Sequence, residues 1–174
     1  LSAFLGPEKR FESRAKWPDR VPMVSVKICG LTCESDVIAA IDSGADYVGF
    51  VLVPDSPRHV AFETAQALIR LAAELGAEPW VVAAVDTPGL DKLVGETPEI
   101  AAVQLHGKET PGDVTAFARR HPLTAIVKAI GVSSRKDLEL AETFEAADAF
   151  LFDAKPPSGA MRQGGFGKAF DWSI

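Results

Sequence analysis

The chain has 174 residues and a formal net charge of −6, with 47% hydrophobic and 24% charged residues. This length favours one domain with a sizeable core, and the acidic balance argues against nucleic-acid binding, which needs a basic face. No apolar run is long enough to span a membrane. The two cysteines are too few for a disulfide framework and are poorly spaced for zinc, so we expect a cytoplasmic protein without a metal site.

The predicted elements begin after a charged N-terminal stretch that contains no signal-peptide core. We expect an N-terminal extension over residues 1–22 and one folded domain over residues 23–174, with Met23 as a plausible natural start. In chain order, strands are predicted at Val24–Ile28, Tyr47–Val51, Trp80–Val85, Ala102–Leu105, Ala125–Ile130 and Ala149–Phe152. Helices are predicted between them at Ser35–Ser43, Glu63–Leu75, Leu90–Val94, Asp113–Arg120 and Lys136–Thr143, with Gly44 and Gly76 as helix stops.

The predicted strands are continuous apolar runs, as expected for a sheet that is buried on both faces. Six successive strand–helix units indicate a parallel α/β fold. A doubly wound open sheet would be complete at this length, whereas a (β/α)8 barrel needs eight units and typically about 250 residues. The run Gly164–Gly167 does not match a dinucleotide-binding fingerprint. The pattern alone leaves both architectures open.

Chemically active side chains follow the predicted strands, at the end where a barrel builds its active site. They are Cys29, Arg58, Asp86, His106 and Asp153. A thiol and a carboxyl that meet in one site can act as general base and general acid. Each residue alone is more often a core, turn or cap residue, so their joint occurrence at successive strand ends is what indicates a site.

Six motifs then follow in order along the chain. They are Val26–Thr32 (VKICGLT), Gly44–Val51 (GADYVGFV), Ser56–Val60 (SPRHV), Val103–Gly107 (VQLHG), Leu151–Lys155 (LFDAK) and Gly164–Trp172 (GGFGKAFDW). Each is weak alone, but together they resemble the phosphoribosylanthranilate isomerase family over Val24–Ile174. The resemblance implies a (β/α)8 TIM barrel, of which this chain supplies about six βα units. The seventh and eighth strands, with the groups that hold the substrate phosphate, are expected after Ile174.

The resemblance also implies an activity, an Amadori rearrangement in tryptophan biosynthesis. The family converts N-(5-phosphoribosyl)anthranilate to 1-(2-carboxyphenylamino)-1-deoxyribulose 5-phosphate and uses no metal or organic cofactor. Cys29 is then the general base and Asp153 the general acid. Arg58 is expected to bind the anthranilate carboxylate, because its planar fork suits a bidentate contact. Gln104 and His106 are expected to line the pocket.

Three further residues complete the expected substrate-binding set. Lys27 lies two residues before Cys29, so both side chains point the same way. It is expected either to supply a positive charge near Cys29 or to pair with a carboxylate inside the barrel. Gly164 and Gly165 belong to the loop Lys155–Phe170, which is expected to act as a lid that excludes water.

Three positions depart from the family pattern. Asp86 stands where Asn is usual, Ala84 where Phe is frequent and His59 where Tyr is common. A barrel short of two strands has two open edges, so the alternative is an inactive fragment that needs a partner chain to close the fold. An oligomer is therefore possible. A barrel isomerase of histidine biosynthesis is disfavoured, because those enzymes pair two aspartates and Cys29 occupies the first position.

Overall fold

The structure is a computed structural model and describes residues 3–5 and 24–155. The strands in these ranges are β1 (Ala3–Leu5), β2 (Lys27–Cys29), β3 (Tyr47–Val51), β4 (Glu78–Ala83), β5 (Ala102–Leu105), β6 (Ala125–Val132) and β7 (Ala149–Ala154). The helices are α1 (Glu34–Asp42), α2 (Phe62–Glu74), α3 (Leu90–Glu96), α4 (Pro111–Arg120) and α5 (Arg135–Ala141). Strands and helices alternate from β2 onward, as the sequence predicts.

All seven strands belong to one sheet, in the order β1-β7-β6-β5-β4-β3-β2. The strands β2 to β7 are parallel neighbours in chain order and curl into a half-barrel. Sequential parallel order with a helix after each strand is the topology of a (β/α)8 barrel, whereas a doubly wound sheet reverses its strand order. The open-sheet alternative is therefore wrong.

The core lies mainly between the sheet and the helices. Its outward-facing strand residues include Val48, Phe50, Val81, Val103, Leu105 and Ile126, which pack with α2, α3 and α4. A smaller cluster lies on the inner, concave face and consists of Trp80, Ala102, Val127 and Ala149. Because side chains alternate along a strand, each strand contributes to both layers. This explains why most strand residues are apolar on both faces, with few polar exceptions such as Gln104 and Lys128.

Two predicted helix ends are confirmed by backbone geometry. Gly44 and Gly76 follow α1 and α2, and both have a φ of +88°. A residue with a Cβ is strained in this left-handed region, which explains the choice of glycine at each helix stop. No helix in the described part of the chain is long and apolar enough to cross a membrane.

Strands β6 and β7 are longer than predicted. The ladder continues through the pairs Gly131↔Asp153 and Val132↔Ala154, so β7 ends at Ala154 rather than at Phe152. Asp153 therefore lies within a strand, where its backbone is fixed, and not in the loop that follows. The first parallel strand, predicted at Val24–Ile28, is shorter in the structure, where β2 covers Lys27–Cys29. Val26 N, just before β2, donates to the side-chain Oδ2 of Asp46 at 2.7 Å.

One strand was not predicted. Within the expected N-terminal extension, β1 pairs antiparallel with β7 in the register Ala3↔Phe152, Phe4↔Leu151 and Leu5↔Phe150. The prediction of two open edges is therefore wrong for β7, because a three-residue strand covers part of its outer side. Among the described residues, β2 pairs only with β3.

Candidate active site

The candidate catalytic residues share the concave face of the sheet. Lys27 and Cys29 lie on β2, Gln104 on β5 and Asp153 on β7. Strand alternation and register place all four on the same side as the inner Trp80 cluster. Residues from three separate strands thus converge on one surface.

Cys29 is the last residue of β2 and faces Gly49 on β3. A Cβ added to Gly49 would lie 2.7 Å from Cys29 Sγ and 3.2 Å from Lys27 Cε. The thiol therefore occupies the space that a side chain at position 49 would fill. Cys29 is a free cysteine and is half-buried.

Lys27 connects the thiol to the middle of the sheet. Its Nζ donates to Gln104 Oε1 at 2.6 Å and lies 4.7 Å from the centre of the Trp80 ring. Burial lowers the pKa of Lys27, while Cys29, which is within hydrogen-bonding reach, opposes that shift. Of the two expected roles, the contacts favour a charge next to Cys29. In the described residues, the ammonium contacts an amide and a thiol rather than a carboxylate.

Arg58 lies in the loop after β3 and reaches the same rim. Its Nη1 donates to Cys29 O at 3.2 Å. Its side chain crosses Gly30, where φ is +85° and where an added Cβ would overlap the Arg58 side chain. Gly30 therefore allows the guanidinium to lie beside Cys29, while Arg58 remains exposed to an incoming anion.

His106 connects Gln104 to the region of Asp153. Its Nδ1 is 3.4 Å from Gln104 Nε2, so a neutral imidazole accepts from the amide. Burial lowers the pKa of His106, and the nearby Asp153 carboxylate acts in the opposite direction. Asp153 itself is half-buried, and its Oδ1 accepts from Ala154 N at 2.8 Å. A row of polar groups thus runs from the thiol to the carboxyl.

Sequence reasoning missed two buried charges close to this row, Glu109 and Lys128. Their carboxylate and ammonium are 2.8 Å apart, with side chains 1% and 4% exposed. The available signal was a lone lysine in the otherwise apolar run Ala125–Val132. Nothing in the sequence identified its partner.

The remaining predicted positions are less informative. Gly164, Gly165 and the loop Lys155–Phe170 beyond its first residue lie outside the described residues. Asp86 and His59 are exposed in loops, so their departures from the family pattern affect the rim. Within the described ranges, no group of three or more His, Cys, Asp or Glu side chains could hold a metal ion.

Comparisons with known proteins agree on one family. The family model of N-(5'-phosphoribosyl)anthranilate (PRA) isomerases matches residues 26–174. The N-(5'-phosphoribosyl)anthranilate isomerase of Chelativorans sp. (strain BNC1) is 43% identical over 153 residues, which cover 87% of this chain and 69% of the relative. That of Paracoccus denitrificans (strain Pd 1222) is 45% identical over 159 residues, covering 87% and 70%.

Solved structures give the same result. The phosphoribosyl anthranilate isomerase from Thermotoga maritima superposes with a TM-score of 0.70 at 37% identity, covering 87% of this chain and 69% of that one. A second phosphoribosyl anthranilate isomerase, in complex with reduced 1-(o-carboxyphenylamino)-1-deoxyribulose 5-phosphate, has a TM-score of 0.61 at 35% identity and covers 72% and 62%. Sequence, strand order and structural similarity all lead to one assignment: this chain is a member of the phosphoribosylanthranilate isomerase family and forms six strands of its (β/α)8 barrel.

Proposed function

We propose that this chain isomerises N-(5'-phosphoribosyl)anthranilate to 1-(2-carboxyphenylamino)-1-deoxyribulose 5-phosphate in tryptophan biosynthesis, with Cys29 as general base and Asp153 as general acid. The observation that carries the proposal is the row of polar groups on the concave face. Lys27, Gln104 and His106 link the thiol of β2 to the carboxyl of β7. Acid–base isomerisation needs two such groups on one substrate.

The acid acts first. Protonated Asp153 gives its proton to the ring oxygen of the ribose, the C1–O bond breaks, and the anthranilate nitrogen forms an iminium with C1. The backbone around Asp153 is fixed by the ladder pair Gly131↔Asp153, so the carboxyl is presented from a rigid strand. Rigid placement of the acid contributes to rate, because the proton is transferred only over a short and well-aligned distance.

The base acts second. The Cys29 thiolate removes the proton from C2, and the electron pair moves into the C1–C2 bond to give an enolamine. This intermediate tautomerises to the ketone by losing the proton of the C2 hydroxyl and gaining one at C1. The Lys27 side chain lies within hydrogen-bonding reach of Cys29 Sγ and so places a positive charge beside the sulfur that takes up the proton. Proton return from Cys29 to Asp153 completes the cycle.

Arg58 binds the carboxylate of the anthranilate in this proposal. Its guanidinium is exposed, lies beside Cys29 and carries paired N–H groups that suit a carboxylate. The relative crystallised with a reduced carboxyphenylamino sugar phosphate supports a ligand of this class. Gln104 and His106 line the floor of the pocket, and Gly164 and Gly165 are proposed to contact the substrate from the loop that follows β7.

The test is turnover of freshly prepared phosphoribosylanthranilate by the purified chain and four variants. Cys29→Ser and Asp153→Asn should each lose about 100- to 10,000-fold in kcat, the range that general acid–base catalysis contributes. Cys33→Ser and Asp42→Asn are the matched controls, because each changes the same residue type at an exposed position, in the case of Asp42 at the C-terminal end of α1. They should retain the activity of the parent. A folded but inactive parent, or equal losses in the controls, would contradict the proposal.

A second candidate is a barrel fragment that becomes active only when another chain closes the fold. One observation favours it: β2 pairs only with β3 among the described residues, and outward-facing Ile28 is 40% exposed. Activity measured across protein concentrations separates the two candidates. Specific activity that is independent of concentration supports the first, whereas activity that rises with the fraction of oligomer in parallel sizing runs supports the second.

A further inference from the structure

A buried ion pair lies behind the candidate site, on the side of the sheet that faces the helices. Glu109 Oε2 and Lys128 Nζ are 2.8 Å apart, and both side chains are almost completely buried. Lys128 belongs to the outward-facing set of β6, with Ile126 and Ile130, whereas the candidate catalytic residues face inward. A buried pair adds little net stability, because desolvation offsets the attraction, and some such pairs instead specify one conformation.

Glu109 holds two loops at once. Its Oε1 accepts from Val85 N at 3.1 Å, after β4, and its two oxygens accept from Gly107 N at 3.0 and 3.1 Å, after β5. A Cβ added to Gly107 would lie 2.6 Å from Glu109 Oε1 and 2.7 Å from Ala84 Cβ. The glycine therefore provides the space into which the carboxylate folds.

Lys128 holds the same region from the neighbouring strand. Its Nζ donates to Leu105 O and Gly107 O, each at 3.3 Å, and to Ala129 O at 2.9 Å. Leu105 and Gly107 are the residues on either side of His106. The ion pair therefore fixes the backbone before and after His106 and joins the ends of β4 and β5 to the middle of β6.

We propose that the Glu109–Lys128 pair is a positioning element of the active site, because it fixes both backbone neighbours of His106 and so holds the imidazole against Gln104 and near Asp153. The inference rests on the proposed function, since His106 matters there as the neighbour of the acid. Within the part of the chain that the structure describes, Glu109 and Lys128 bond to each other and to backbone groups of Val85, Leu105, Gly107 and Ala129, so both are positioning residues that act through His106.

The pKa of the His106 ring distinguishes this positioning role from a general loss of structure, because the two effects shift that pKa differently. Besides burial, the Asp153 and Glu109 charges raise the pKa of His106, and the Lys128 and Lys27 charges lower it. Removing Lys128 should therefore raise the pKa of His106, and removing Glu109 should lower it further. Simple exposure of the ring would raise it in both cases, because burial is the main cause of the depression.

The experiment compares the whole chain with Glu109→Gln, Lys128→Met and the double variant. Each is titrated by NMR at the His106 ring, assigned with His106→Asn, and assayed for kcat and KM with phosphoribosylanthranilate. Arg120→Met is the control, because it breaks the exposed ion pair between Arg120 on α4 and Asp91 on α3. We expect opposite pKa shifts in the two single variants. We expect kcat losses of about 10- to 100-fold in all three, with smaller changes in KM, and no effect in the control.

If a single variant does not fold, the proposal can still be tested with the double variant. It leaves no unpaired charge, so it should fold, keep the pKa of His106 near that of the parent, and still show displaced ring resonances and reduced kcat. Parental resonances and kcat in a folded double variant would overturn the proposal, as would pKa shifts of the same sign in both single variants. If the parent is inactive, the proposed function fails, and the ring shifts alone then decide whether the pair positions His106.

Discussion

Gly49 shows how one missing side chain shapes the site. Cys29 Sγ occupies the space where a Cβ at position 49 would lie, at 2.7 Å, and the Cys29 Cα would be only 3.3 Å away. Gly49→Ala should therefore displace the thiol from Lys27 and reduce kcat by about 10- to 100-fold. The cost in unfolding free energy should be about 1 to 3 kcal/mol, as is typical of overpacking. Steady-state kinetics and thermal unfolding measure the two effects.

Gly95→Ala is the matched control for this prediction. Gly95 lies in α3 with nothing within 4 Å of an added Cβ. The substitution should stabilise the helix by about 0.5 to 1 kcal/mol, because alanine loses less backbone freedom than glycine. Activity should not change. A kcat loss in Gly95→Ala like that in Gly49→Ala would show that any added methyl group disturbs this fold.

Asp137 predicts a pH dependence of stability. Burial alone would raise its pKa, but hydrogen bonds from Ser133, Lys155 and Ser134 outweigh burial, so the folded pKa lies below the usual range. A lowered folded pKa stabilises the protein above the unfolded pKa, about 3.9, and this stabilisation is lost as the pH falls through the folded pKa. Asp137→Ala should cost about 1 kcal/mol at pH 7, as for a lost helix cap, and progressively less below about pH 4. Urea unfolding at several pH values tests this, and a constant difference across them would contradict it.

Local spacing predicted some contacts of the site and could not predict others. Lys27 and Cys29 are two residues apart on one strand, and alternation alone puts their side chains together, as the structure shows. Glu109, in the loop after β5, and Lys128, on β6, are 19 residues apart in sequence. Their pairing depends on the path of the loop after β5 and on Gly107, and neither leaves a periodic signal.

The N-caps of helices α4 and α2 differ, and the difference predicts how substitutions at these positions change the stability of the protein. In α4, Thr110 and Asp113 form a capping box in which each side chain accepts from the other's backbone N–H. In α2, the N-cap is Ala61, which has an extended backbone and no side-chain acceptor. Ala61→Ser should therefore stabilise the protein by about 1 kcal/mol, and Thr110→Ala should destabilise it by a similar amount. Equal unfolding midpoints for both variants and the parent would contradict the prediction.

The predicted strands differ in how well their ends could be placed. Tyr47–Val51 and Ala102–Leu105 agree with β3 and β5, because turn residues bound both runs. The prediction ended β7 at Phe152, since Asp153 disfavours a strand, but tertiary pairing with Gly131 extends the ladder. Strand β1 was missed because three residues carry no detectable period, and its partner is about 150 positions away in sequence.

The shape of the whole sheet predicts self-association at one edge. Val24 is 88% exposed beside β2, and outward-facing Val26 and Ile28 are 43% and 40% exposed. Apolar residues along a strand edge that no other described strand covers favour edge-to-edge contact. Val24→Lys should therefore shift the chain towards monomer in size-exclusion chromatography at several concentrations. Leu123→Lys is the control, since Leu123 is 85% exposed but lies away from this edge, before β6. The prediction fails if both lysine variants elute alike.

The overall architecture was only partly contained in the residue pattern. Continuous apolar strands that alternate with helices predicted parallel strands, which the structure confirms. Whether such a sheet stays open or closes into a barrel depends on the tilt and stagger of its strands. The spacing of hydrophobic residues along the sequence does not determine either quantity. Motifs such as VKICGLT decided for the barrel, because they reflect shared ancestry rather than local physics. The boundary between an N-terminal extension that ends at residue 22 and a domain that begins at residue 23 stays a prediction.

The position of Trp80 gives this protein a built-in optical reporter. The indole is buried on the concave face, 4.7 Å from Lys27 Nζ and with its ring centre 5.0 Å from that of Tyr47. A ligand that moves the ammonium will change the fluorescence quantum yield, and Tyr47 will transfer excitation energy to the same indole. With Trp17 and Trp172 replaced by phenylalanine, emission will come from this indole alone. Ligand occupancy of the concave face can then be followed continuously, without a label and without turnover.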